Sequence, residues 1–362
     1  MPVPLDDHLV LDTTVHEMLD DADFMLIHAL QLRPRASWSA LAPILNSTPV
    51  TLARRWERLS AAGLAWITAY PHLEMSESVT ALVEVDCAQS RLNDLWRRLA
   101  ADPRIVTIEH AARGRDLILT VRVPSLEDLS VLLLDDLPGL PGLQSTRAHI
   151  AAQFHAEASS WRLDVLEPSQ IAALQAIERP RGTGTAHQPA AIPSSWWPIA
   201  EALARDGRAS AAEIGASIGR PASTVRRQLG GLLRSGTLVF RCEIAQLWSR
   251  WPITATWWCR VPAVERDGLV AELRRDPRLR LCLSLTGPTN FLVTMWNASL
   301  KDLMRTQERI ERLLPAGEIV DTAVLLRTRK RLGWLLHGDG RATGEVVPFV
   351  ADNEWRSEQG GS

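Results

Sequence analysis

The sequence predicts an α+β chain made of two copies of one module, a helix-turn-helix domain followed by a ferredoxin-like βαββαβ domain. Three observations predict it. Asp102-Pro103-Arg104 follows a leucine-rich helical pattern and precedes two strand-like runs, and Asp276-Pro277-Arg278 does the same 174 residues later. Upstream of each lies a short helix–turn–helix pattern with an arginine pair, Arg54-Arg55 and Arg226-Arg227. Downstream, Ser125-Leu126-Glu127-Asp128 and Ser299-Leu300-Lys301-Asp302 open a second helix with the same capping pattern. A period this long excludes a solenoid, whose repeats run to about 20–50 residues.

In chain order, Asp20 to Leu32 has the apolar spacing of a helix (Phe24, Ile27, Leu30), which Arg33-Pro34-Arg35 ends. A second helix spans about Ser37 to Leu45. Thr48 then offers a capping oxygen and Pro49 the first helical position. The third helix runs to Ala62 and stops at Gly63, the residue type that most readily closes a helix in a left-handed conformation. Leu52, Trp56 and Leu59 form its apolar stripe, while Thr51, Arg54, Arg55 and Arg58 form a basic one. Val79 to Phe154 reads as strand, helix, two strands, helix, strand, the order of a ferredoxin-like domain. The second copy repeats both parts. Ser210-Ala211-Ala212-Glu213 is a capping box, the third helix spans Ala222 to Ser235, and the αβ pattern runs from Ile253 to Leu326. The division this gives is 18–70 and 75–156 for the first copy, then 166–245 and 250–332 for the second. A flexible insertion is expected at 179–195 and a disordered tail at 333–362.

Composition narrows the function class. The 40 basic and 42 acidic residues nearly cancel, so the chain is no general polycation. The charge is nevertheless local. Arg33 to Gly63 carries five arginines against Glu57, and Arg205 to Arg241 carries seven against Asp206 and Glu213. The cysteines are widely spaced with no C-x-x-C pair, so neither a metal nor a disulfide is expected. The start has no basic, apolar leader, and the strongest apolar run, Leu129 to Leu134, is far short of a membrane span. A cytoplasmic protein without membrane partners is expected.

A helix of about a dozen residues fits the major groove of DNA with its amino-terminal residues at the base edges. Asn46, Ser47, Thr48 and Thr51 are therefore the candidates for the groove floor, with Arg54, Arg55 and Arg58 on guanine or phosphate. In the second copy the candidates are Arg220, Ser223, Thr224, Arg226 and Arg227. This copy is the weaker one. Gly230-Gly231 sits mid-helix, and each glycine costs about 1 kcal/mol against alanine.

The runs Leu19-Asp20-Asp21-Ala22-Asp23, Ile27-His28-Ala29-Leu30-Gln31-Leu32 and Arg54-Arg55-Trp56-Glu57-Arg58-Leu59, together with Asp206-Gly207-Arg208-Ala209-Ser210 and Ser223-Thr224-Val225-Arg226-Arg227, resemble the Lrp/AsnC family of transcription regulators. The resemblance spans about residues 18–335 and implies a tandem member, a pseudo-dimer in one chain. It implies promoter DNA as partner, a homodimer or higher homo-oligomer through the αβ (RAM) domains, and a small effector, often an amino acid. The family's G-x-x-D turn corresponds to Gly287-Pro288-Thr289-Asn290, with asparagine in place of aspartate, and, with its glycine displaced by one, to Gly114 and Asp116, making Gly114, Asp116, Gly287, Thr289 and Asn290 the candidate effector residues. Each glycine equally suits a tight β-turn.

No G-x-S-x-G, P-loop or H-E-x-x-H occurs, so no catalytic residue or cofactor is expected and the chain reads as a non-enzymatic regulator. Two alternatives stand beside it. One is an architectural DNA-binding protein without effector. The other is an enzyme like the sirohaem decarboxylases, which resemble the same tandem-compatible fold, although their His-Cys-Tyr and Trp-Pro-Tyr-Asn runs are missing here. The 14 tryptophans are read chiefly as core and sheet packing.

Overall fold

A computed structural model describes residues 19–71, 78–112, 114–156, 161–177 and 192–348. The first helical unit comprises α1 (Asp21–Leu32), α2 (Trp38–Leu41) and α3 (Pro49–Ala61), followed by β1 (Ala65–Pro71). Thr48 caps α3, its hydroxyl accepting from the Thr51 N–H. Gly63 adopts φ +67 behind the helix. The first αβ unit is β2 (Val79–Cys87), α4 (Leu92–Ala101), β3 (Ile105–Ala111), β4 (Leu117–Val123), α5 (Leu126–Val131) and β5 (Leu143–Ala156). After α6 (Pro168–Ala176), the second helical unit comprises α7 (Trp197–Arg205), α8 (Ala211–Ser217), α9 (Ala222–Ser235) and β6 (Leu238–Ile244). The second αβ unit is β7 (Ile253–Arg260), α10 (Ala263–Leu273), β8 (Leu279–Leu285), β9 (Phe291–Asn297), α11 (Leu300–Arg312) and β10 (Glu318–Arg331). Two short strands close the described chain, β11 (Trp334–Leu336) and β12 (Ala342–Val346).

The two αβ units share one sheet. Each contributes four antiparallel strands, in the orders β3-β4-β2-β5 and β8-β9-β7-β10. Seams β5–β8 and β10–β3 join them edge to edge and close an eight-stranded barrel. Neither unit keeps an open edge, the usual hazard of an isolated sheet. Strand alternation sorts the side chains. Ala81, Val83 and Val85 face outward onto Leu95, Trp96 and Leu99 of α4, while Leu82 joins Ile118, Leu283, Leu292 and Trp258 inside. The second unit packs Trp257 and Phe291 outward against Leu269, Leu303 and Ile310. Above the barrel, β1 and β6 pair as an antiparallel ribbon that joins the two helical units.

Two expectations are corrected. The second helical unit does not begin at residue 166, because Pro168 to Ala176 packs on the first. Leu174 is buried in the core of the first, Gln170 Nε2 donates to the Ile44 carbonyl at 2.8 Å, and the lead helix of the second unit is α7. The tail is not disordered from residue 333. Trp334 stacks on Trp66 at 5.7 Å and donates to the Ala204 carbonyl, and the Ala342 N–H bonds the Gly63 carbonyl at 2.8 Å. Apolar Trp334, Leu336 and Val346 anchor this stretch to a core that polar neighbours such as Asp339 and Arg341 disguise in the sequence. Most of the expected insertion, residues 179–191, and the chain beyond 348 lie outside the described residues.

Candidate nucleic-acid interface

The first turn of α3 is held open to solvent. Asn46 takes φ +48, a conformation asparagine tolerates better than most residues, and turns the chain from α2 into α3. Asn46, Thr48, Thr51 and Arg54 are exposed, and Ser47 is half-buried. The Thr48 and Thr51 hydroxyls lie 2.9 Å apart at the helix start. Leu52 and Leu59 bury the opposite stripe.

The basic stripe is divided. Arg54 points outward, but Arg55 Nη1 binds Asp20 Oδ1 and Asp23 Oδ1 at 2.7 Å each, and Arg58 Nη2 binds Asp23 Oδ2 at 2.5 Å. Asp20 and Asp23 cap α1 with each other. The hydrogen bonds that Arg55 donates to Asp20 and Asp23 hold it above its usual pKa. Two of the three arginines placed on DNA by the sequence are thus tied to α1. Both acidic partners lie upstream of the basic segment Arg33 to Gly63.

The helical units exchange a second arginine pair that sequence reading overlooked. Arg35 of the first donates to the carbonyls of Gly207 and Ala209, the latter at 3.0 Å. Arg208 of the second donates to those of Pro34 and Ala36 at 2.7 and 2.8 Å and lies 3.9 Å over the Trp38 ring. The only hint in the sequence was their equal placement, each ahead of a helix-opening serine, Ser37 and Ser210.

On α9, Ser223, Arg226 and Arg227 are exposed and Thr224 half-buried. Arg220 donates to the Ser195 carbonyl at 2.5 Å. The mid-helix glycine has a cause, since a Cβ at Gly231 would lie 2.7 Å from the Trp196 ring.

The five candidate effector residues lie in the β3–β4 and β8–β9 turns. Gly114 and Gly287 both take positive φ, 76 and 108. Asp116 accepts from the Cys87 N–H at 2.8 Å and from Gln89 Nε2 at 2.6 Å. Asn290 accepts from the Val261 N–H at 2.8 Å and donates to the Val261 carbonyl at 3.0 Å. Both side chains tie their turn to the end of the neighbouring strand, and Thr289 is buried beside the second.

Residues 80–160 match the model of the Lrp/AsnC ligand binding domain. The chain resembles the Lrp/AsnC family. An uncharacterised HTH-type transcriptional regulator of Pyrococcus furiosus is 26% identical over 135 residues, which cover 37% of this chain and 91% of that protein. Its counterpart in Pyrococcus horikoshii is 22% identical over 134 residues, 36% of this chain and 85% of that one. Among solved structures, Escherichia coli AsnC covers 37% of this chain and 93% of its own at 17% identity and a TM-score of 0.32. The siroheme decarboxylase NirDL covers 85% of this chain and 92% of its own at 14% identity and a TM-score of 0.46. The expectation of a non-enzymatic chain is corrected here. An enzyme stands among the structures that this Lrp/AsnC-like chain resembles. Among the described residues, no helix is long and apolar enough to cross a membrane.

Proposed function

We propose that the chain is a sequence-specific, DNA-binding regulator of Lrp/AsnC type, working in the cytoplasm on double-stranded DNA. The observation that carries this reading is the presentation of α3. Its amino-terminal turn leaves Asn46, Thr48, Thr51 and Arg54 exposed, while Asp20 and Asp23 fix the helix through Arg55 and Arg58 further along the same stripe. Such a helix can enter a major groove without first ordering itself, and the entropic cost of binding is smaller for it. Arg54 supplies the outward cation, and Arg55 and Arg58 orient the helix. Arg226 and Arg227 on α9 contribute phosphate contacts from the second unit. Self-association through the αβ units and a response to a small effector, amino acid or other metabolite, belong to the same proposal. An effector at the Gly114 and Gly287 turns would have to accommodate the bonds already made by Asp116 and Asn290.

The test is a salt-resolved titration with a selected duplex. Arg54→Ala is expected to weaken binding about tenfold and to lower the salt slope by about one. Unchanged affinity in Arg54→Ala, or no retention of any duplex in dilute buffer, overturns the reading.

A further inference from the structure

The interior of the barrel is not a uniform apolar core. A chamber of about 160 Å³, open at its mouth, reaches from an apolar wall of Leu82, Ile118, Leu292 and Trp258 to the β1–β6 ribbon, where Tyr70 and Arg241 complete it. Eight-stranded barrels have room for one small ligand when side chains do not fill them.

Four guanidinium groups, of Arg122, Arg241, Arg280 and Arg331, line the chamber. Arg241 pairs with Glu243. Arg280 and Arg331 lie 3.4 and 3.8 Å from the same carboxylate, and Arg331 is 4.0 Å from Glu109. Four positive charges therefore face two negative ones. Glu243, Arg280 and Arg331 are all more than nine-tenths buried. The two excess cations, Arg122 and Arg241, are half-buried and so partly met by solvent, and an anion in the chamber would complete them. The face of Trp296 lies 4.0 Å from Arg280.

The chamber also holds buried polar atoms with no hydrogen-bond partner among the described residues, namely Arg122 Nε, Arg280 Nη1, Trp258 Nε1 and Thr254 Oγ1. All four can donate. A completing molecule must therefore bring acceptors.

Repetition does not account for the arrangement. Thr80 and Thr254 stand 174 residues apart, as do Thr120 and Thr294, and both pairs line the chamber. At the same spacing, Arg280 answers Val106 and Arg122 answers Trp296. The two halves match in their threonines and differ where the charge lies.

From this we propose that the barrel chamber binds a small organic dianion with a flat apolar body. Its oxyanion groups, carboxylate or phosphate, would sit on Arg122, Arg280 and Arg331, and its body on Trp258, Leu82 and Leu292. The site is independent of the DNA reading, because binding is measured on the full chain without DNA.

Calorimetric titration with naphthalene-2,6-dicarboxylate, its neutral dicarboxamide, naphthyl phosphate and inorganic phosphate tests it. Saturable one-to-one binding of the dicarboxylate or the naphthyl phosphate is expected, at least about tenfold tighter than the dicarboxamide. The stronger of the two anions identifies the oxyanion, and inorganic phosphate, which lacks the body, binds weakest. Arg122→Gln and Thr254→Val each weaken the dianion about fivefold or more. Arg280→Met weakens it further, and should that variant fail to fold, the other two decide. No saturable dianion binding up to about 5 mM, equal binding of the dicarboxamide, or unchanged binding in Arg122→Gln and Thr254→Val overturns the proposal.

Discussion

Arg35 and Arg208 are exchanged between the helical units, each donating to backbone carbonyls beside the other. Desolvation, together with the nearby Arg35, lowers the Arg208 pKa to about 10, which still leaves the group charged at neutral pH. The exchange fixes the separation of α3 and α9, because both connecting segments are held at the same point. Arg35→Ala and Arg208→Ala are each expected to cost about 1–3 kcal/mol, the range for a charge-assisted hydrogen-bonding group. The double variant should cost less than the sum, since either loss opens the same contact. A double-mutant cycle by urea denaturation checks this, and strict additivity would mean that the two arginines act separately.

Asp23 serves two arginines at once while itself almost fully buried. Removing it leaves Arg55 and Arg58 without their shared partner and α1 without half of its capping box. Asp23→Ala is expected to destabilise by about 2–4 kcal/mol. Arg58→Ala removes an exposed partner and should cost less than about 1 kcal/mol. Thermal melts of the two variants rank them, and a larger loss in Arg58→Ala would refute the assignment of Asp23 as the anchor.

His28 gives the fold an acid limit. Its ring lies in the core and its Nδ1 accepts from the Val165 and Leu166 N–H groups, both at 3.2 Å. Burial, and then the nearby Arg162, lower its pKa from 6.5 to about 4. Between pH 6.5 and 4 the unfolded chain therefore binds the proton that the folded chain refuses. Stability present above pH 6.5 is lost as pH falls toward 4, by up to about 3 kcal/mol. His155, also lowered by burial and by Arg266, works in the same direction. His28→Gln keeps an acceptor and removes the titration. The variant's stability should fall less steeply across this window than the parent's, with the His155 contribution common to both. Parallel slopes would sink the assignment.

Much of the architecture was legible because local chemistry and tertiary demand agreed. Thr48, Ser125, Ser210 and Ser299 each cap the helix that the sequence assigns to them. The period-two pattern of β2 separates Ala81, Val83 and Val85 from Leu82 as alternation requires. What was illegible depends on partners distant in the chain. Nothing local tells that Arg55 will meet Asp20 and Asp23 rather than water, or that Leu174 will leave the second helical unit for the first. Trp258 and Trp296 read as packing, and so they are, but Arg122 comes from β4 of the other αβ unit, which only the closed barrel brings to the same chamber.

Gly230 and Gly231 set helix propensity against packing in one dipeptide. Propensity alone says that alanine at either position gains about 0.8–1 kcal/mol. At Gly230 a Cβ would meet only the far end of the flexible Arg234 side chain, 3.2 Å away, which can swing aside. Gly230→Ala should therefore stabilise by about 0.5–1 kcal/mol. At Gly231 the Cβ would lie 2.7 Å from the rigid Trp196 ring, closer than a packed core allows. Overpacking of this kind costs about 1–3 kcal/mol and exceeds the propensity gain. Gly231→Ala should lower the melting temperature while Gly230→Ala raises it. If both substitutions raise it, Trp196 yields freely and the glycine has no packing role.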